Sequence, residues 1–147
     1  MRIPPPVWAG AAGLAQLLLA RGSRATRAST STAVLLGAGA AGLGLGAVGQ
    51  FRARGTTVDP VELDRSAALV TGGVFALTRN PMYLAVTGLL LAHAAHRRSL
   101  AALLPVAGFV LVIDRCQIPA EETALARIFG AEYGAYRRRV PRWAPLY

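Results

Sequence analysis

Residues 33–51 read AVLLGAGAAGLGLGAVGQF, with no charged side chain anywhere in the stretch. A helix that crosses a bilayer needs roughly 20 successive apolar residues, with a lower bound of about 17, and this block meets that requirement. It is apolar all round, whereas a helix on the surface of a water-soluble bundle keeps one polar face. Three more uncharged blocks lie around it. Residues 7–20 follow Pro4, Pro5 and Pro6 and end at Arg21; residues 81–95 are uncharged up to His93; residues 100–113 sit between Arg97-Arg98 and Asp114. These blocks are shorter, about 22 Å of helix at about 1.5 Å per residue. They reach bilayer width once polar flanks carry the helix into the headgroups or the bilayer thins locally. The expectation is an all-α, polytopic membrane protein with about four transmembrane helices and a cytoplasmic C-terminal amphipathic helix.

Composition points the same way. Hydrophobic residues make up 54% of the 147 and charged residues only 16%, against about 25% charge in an average soluble domain. Cys116 is the single cysteine, and His93 and His96 are the two histidines. No intrachain disulfide can form, and no metal site is expected. The first block has the length of a signal peptide, but one arginine and three prolines make a poor leading segment, so it is read as a retained helix. In the second block, Gly42 and Gly46 have the small-xxx-small spacing that lets helices approach closely.

The net charge of +9 comes from sixteen arginines and no lysine. With four spans, both termini share a side with the loop between the second and third. That side carries Arg2, Arg52, Arg54, Arg65, Arg79, Arg115, Arg127, Arg137, Arg138, Arg139 and Arg142, while the other has Arg21, Arg24, Arg27, Arg97 and Arg98. The positive-inside rule then puts both termini in the cytoplasm, for a protein of the cell inner membrane. No aromatic-interleaved basic face accompanies the charge, so a nucleic-acid partner is not expected. The chain reads as one domain, 1–147, with N-terminal helices over 1–54 and the chemistry concentrated in 55–147.

Two polar segments hold that chemistry. In the first, Thr71-Gly72-Gly73 makes a turn and Thr78-Arg79-Asn80-Pro81 opens the third span. Asn80 is expected as its N-cap and Pro81 as its first helical residue. The helix start and Arg79 together suit an anion such as a carboxylate. In the second segment, Pro119 opens a helix with Glu121 and Glu122 in its first turn. Leu125, Ile128, Phe129, Tyr133 and Tyr136 recur at helical spacing as one apolar stripe. At about 100° per residue the two glutamates fall on its edges, with Arg127 and Arg138 opposite. Carboxylates turned toward an apolar surface call for a cationic partner.

The ordered set Leu69-Val70-Thr71-x-Gly73-x-Phe75, Arg79-Asn80-Pro81-x-Tyr83, Glu121-Glu122-x-x-Leu125, Phe129-Gly130-x-Glu132-Tyr133-x-x-Tyr136 and Val140-Pro141 covers roughly residues 55 to 145. It resembles the isoprenylcysteine carboxyl methyltransferase family and its phospholipid-methyltransferase-like relatives among integral membrane methyltransferases. The resemblance implies S-adenosylmethionine as cofactor, bound at the cytoplasmic face, and a lipid or other lipophilic acceptor reached from the bilayer. By position it implies cofactor contacts from Leu69, Val70, Phe75, Asn80, Pro81, Tyr83 and Glu121. Glu121, Glu122 and Arg79 are the candidate catalytic residues, and Gln117 and Arg115 the candidate substrate-binding ones.

Three positions depart from the family pattern: Phe75 stands for a tyrosine, Asn80 for the histidine of prenylcysteine enzymes, and Gln117 for an arginine linked to the acceptor carboxylate. Arg115 lies about 200° from Gln117 on a helix. The expected activity is methylation of a carboxylate oxygen or of a lipid amine. The alternatives are a nicotinamide-dependent membrane reductase of the sterol-reductase branch and a non-enzymatic small membrane protein.

Overall fold

The computed structural model describes residues 3–53 and 68–144. Arg2, Arg54 and Arg65, the boundary at residue 54 and the start of the first polar segment lie outside the described residues. Among the described residues all regular structure is helical. The order is α1 (Pro5–Leu19), α2 (Arg27–Ala53), a 3-10 turn (Gly73–Ala76), α3 (Pro81–Arg97), α4 (Leu103–Val112) and α5 (Ile118–Arg139).

Local chemistry sets these ends. α1 and α3 begin on Pro5 and Pro81, whose missing N–H falls where a helix start has no use for it. α2 opens with a reciprocal capping box: Thr26 N–H donates to Ser29 Oγ at 2.9 Å, and Ser29 N–H to Thr26 Oγ1 at 3.2 Å. Arg98 ends α3 in the left-handed conformation, φ 50°. Arg97 Nη2 donates to the Ala20 carbonyl just past α1 at 2.9 Å, satisfying one of the acceptors a helix end leaves open.

α2 and α3 pack through small residues. A β-carbon added at Gly88 would lie 2.8 Å from Cβ of Ala40, one at Gly44 3.3 Å from Cβ of Ala85, and one at Gly37 3.8 Å from Cβ of Ala92. Close approach of two backbones is what such residues permit. The stripe is Gly37, Ala40 and Gly44, not the Gly42–Gly46 pair. Gly42 meets nothing within 4 Å, and Gly46 faces Val74.

α1 and α4 complete the packing around Ala12, Tyr83, Leu90, Val106 and Phe109. At one end of the bundle Ala20, Ala94 and Ala102 cluster, and Ser29 Oγ donates to the His96 carbonyl at 3.1 Å. The α1–α2 and α3–α4 connections therefore share that end. The start of α3 and the junction of α4 with α5 lie at the other.

Among the described residues two helical stretches are long and apolar enough to cross a membrane, Arg27–Ala53 and Leu103–Arg139; Pro5–Leu19 is a shorter apolar helix. The second stretch corrects the expected break before Pro119. α4 runs into α5 through a π-turn, Ile113–Gln117, in which Ile118 N–H donates to the Ile113 carbonyl five residues back. Pro119 has no N–H to give and its ring presses on the carbonyl four residues before it. The widened turn absorbs that strain without ending the helix. α5 bends instead at Gly130, with φ 49° and ψ −119°.

Candidate functional site

The chain enters α3 under a strap formed by its own C-terminal segment. Arg79 N–H donates to the Pro141 carbonyl at 2.9 Å. Thr78 Oγ1 and Asn80 Nδ2 both donate to the Arg142 carbonyl, at 3.1 and 2.9 Å. Asn80 holds the N-cap position, but its side chain makes no cap hydrogen bond, and its Nδ2 is turned to the strap.

The adjacent glutamates of α5 serve different partners. Glu122, 11% exposed, receives Arg79 Nη1 at 2.7 Å. It also receives Arg142 twice, Nε on Oε1 at 3.2 Å and Nη2 on Oε2 at 2.8 Å. Such two-pronged charge-assisted bonds are among the stronger ones in proteins. The bond to Glu122 holds the Arg142 guanidinium pKa above its usual range. Asp114 fixes the strap further, accepting from Arg142 Nη1 at 3.2 Å and from Trp143 Nε1 at 2.8 Å. Glu121 turns the other way, and its Oε1 accepts from the Tyr83 hydroxyl at 2.5 Å and from Gln117 Nε2 at 2.7 Å.

The kink at Gly130 returns the last turns of α5 to this region. Arg79 Nη1 donates to the Tyr133 hydroxyl at 3.2 Å, and the Tyr136 hydroxyl donates to the Phe75 carbonyl at 2.7 Å. Tyr133 and Tyr136 pack with Leu69, Val140, Leu125 and Phe129. Ile128, counted in the same stripe from spacing alone, faces outward at 36% exposure.

These residues enclose a cavity of about 730 Å³. Its polar end is walled by Arg79, Asn80, Tyr83, Glu121, Glu122 and Tyr133, and Leu69, Val70, Phe75 and Pro81 border it as well. From there an apolar groove runs along α3 past Val86 and Leu89, between Pro5 and Ala9 of α1 and Ala41, Leu45 and Val48 of α2. The size is typical of a small-molecule site.

Gln117 and Arg115, expected to bind substrate, do not border the cavity. Gln117 is buried and bonded to Glu121. Arg115 points outward with a 76% exposed side chain, 3.6 Å from Asp114, in keeping with its place about 200° round the helix from the buried Gln117. Spacing had no way to single out Arg142, Asp114 and Trp143 as the pieces that close the strap. Arg142 is one of several arginines in the RRRVPR run, and its role depends on a fold-back from residue 142 to residue 122.

Comparisons with known proteins bear on this site. A family model described as phospholipid methyltransferase matches residues 28–132, from the first turn of α2 past the kink in α5. A protein of Haemophilus influenzae described as uncharacterized is 44% identical over 62 residues, 42% of this chain and 98% of that protein. No solved structure matches.

Proposed function

The chain belongs to the phospholipid methyltransferase family, and from that premise we propose that it is an integral membrane enzyme transferring a methyl group from S-adenosylmethionine to the amine of a lipid. The observation that carries this reading is the placing of Glu121, which stands with Tyr83 and Arg79 at the polar end of a cavity that continues as an apolar groove along α3. A carboxylate at that position suits an amine acceptor, which must shed a proton before its nitrogen can react.

The residues present fit the cofactor. At the start of α3 the Met82 and Tyr83 backbone amides have no acceptor within the helix and suit a carboxylate, Glu121 meets a cationic group, and Phe75 and Tyr83 border an aromatic-lined space within the same wall. Leu69, Val70, Asn80 and Pro81 complete the cofactor side. When bound, S-adenosylmethionine supplies a methyl group already activated on its sulfonium. Glu121 accepts the proton that the lipid ammonium must lose before its nitrogen can attack. Glu122 sits between two guanidinium groups and keeps Arg79 in place. The walls align the two reactants and exclude water from them, and alignment alone is worth up to about 7–11 kcal/mol. The groove along α3 takes the lipid chain.

The site lies at the end of the bundle opposite the α1–α2 connection, and in this reading that end faces the cytoplasm, which the arginine distribution supports. The test is transfer of a labelled methyl group by purified protein in nanodiscs, offering an aminophospholipid, a lipid carboxylate and no acceptor. Labelled aminophospholipid supports the proposal. Labelling of the carboxylate alone, or failure to bind S-adenosylmethionine while binding a nicotinamide nucleotide, overturns it.

A further inference from the structure

Gln117 is a buried polar side chain that the cavity wall does not use, placed in the one π-turn among the described residues. π-turns are frequent where a helix serves a site, and this one is flanked by two fully buried residues, Ile113 and Ile118. The anchoring leaves the Gln117 side chain little freedom. Its amide nitrogen lies 2.7 Å from Glu121 Oε1, the same oxygen that accepts from Tyr83 at 2.5 Å. Two neutral donors from two helices thus converge on one carboxylate oxygen.

Resting on the function proposed above, we infer that Gln117 is a positioning residue: from behind the cavity wall its amide holds the Glu121 carboxylate against Tyr83, in the orientation that meets the cationic parts of donor and acceptor. It touches neither reactant. A neutral amide at this position orients Glu121 while adding no positive charge of its own, which a basic side chain would.

The experiment reads the clamp both without and with ligand. In ligand-free protein, infrared difference spectra against Glu121→Gln identify the Glu121 carboxylate band. Gln117→Met removes the donor at nearly constant volume and shifts that band. Gln117→Leu, also without the donor and adding no carboxyl band of its own, shifts it too and covers the case in which the methionine variant does not fold. With ligand, calorimetry shows S-adenosylmethionine binding weakened about tenfold by Gln117→Met, the size of one charge-assisted hydrogen bond. In a Glu121→Gln background the same change weakens binding no further. An unshifted band overturns the inference, as does equal weakening in both backgrounds, which marks Gln117 as merely structural. Wild-type protein that binds no S-adenosylmethionine overturns the proposed function instead, while the infrared result still decides the role of Gln117.

Discussion

Arg142 holds Glu122 with two nitrogens, Nε at 3.2 Å and Nη2 at 2.8 Å, across twenty residues of chain. On its other side Glu122 carries Arg79, whose side chain is only 10% exposed. The carboxylate is therefore the common counter-ion of two guanidinium groups, one on the α3 entry and one on the strap.

Glu122→Ala is expected to destabilise the protein by about 3–5 kcal/mol, because it takes the Glu122 carboxylate from the buried Arg79 and leaves Arg142 with Asp114 alone. Arg142→Lys keeps the charge but loses the fork geometry, at an expected cost of about 1–2 kcal/mol. Thermal unfolding in detergent, followed by the fluorescence of Trp143 on the strap, measures both. Equal and negligible effects would show that the strap is held by its bonds to Arg79 N–H, Thr78, Asn80 and Asp114 without Glu122.

Gly130 adopts φ 49° and ψ −119°, a region that side-chain-bearing residues rarely enter. Gly130→Ala is expected to cost about 1–3 kcal/mol of backbone strain. It is also expected to lower methyl transfer, since the bend aims Tyr133 at Arg79 and Tyr136 at Phe75. Gly13→Ala is the control. It lies in α1 with nothing within 4 Å of the added carbon, and is expected to stabilise by about 0.5–1 kcal/mol. Unfolding temperatures of the two variants should move in opposite directions.

The features readable from sequence were those that depend on local pattern. The uncharged block at 33–51 and the proline starts of α1 and α3 follow from span length and helix-end chemistry. The residues expected around the cofactor, Leu69 through Glu121, carry a motif order that spacing preserves. What escaped depends on three-dimensional return of the chain. The bend at Gly130, the π-turn that carries α4 into α5 and the return of Arg142 to Glu122 are set by the fold and not by local pattern. Asn80 has a strong capping preference, yet its side chain makes no cap bond and its Nδ2 donates to the Arg142 carbonyl.

Gln16 is a further residue that pattern alone passes over, a single polar side chain in an apolar helix. It is fully buried, and its Nε2 donates to the Leu90 carbonyl and to the Ala102 carbonyl, both at 2.9 Å. It thereby ties α1 to α3 and to the segment leading into α4. Gln16→Ala removes both bonds and leaves a void, with an expected loss of about 1–3 kcal/mol. Gln16→Leu refills the volume without the bonds. If its unfolding temperature equals that of wild type, packing and not hydrogen bonding is what Gln16 contributes.

The same chemical change at two tyrosines of one cavity separates chemistry from architecture. Tyr83 donates to Glu121 while its ring packs in the core with Leu90, Val106 and Phe109. Tyr136 donates to the Phe75 carbonyl, a backbone acceptor that the phenylalanine variant leaves without that donor. Tyr83→Phe is expected to lower kcat/KM about tenfold, the loss of one charge-assisted hydrogen bond, with little change in unfolding temperature. Tyr136→Phe is expected to cost about 1 kcal/mol of stability, with kcat/KM nearly unchanged once the protein is folded. Kinetics and thermal unfolding measured on both variants give a crossed pattern if Glu121 acts in the reaction. A Tyr83→Phe enzyme with wild-type kcat/KM would remove Glu121 and its hydroxyl partner from the chemistry, whatever the cavity binds.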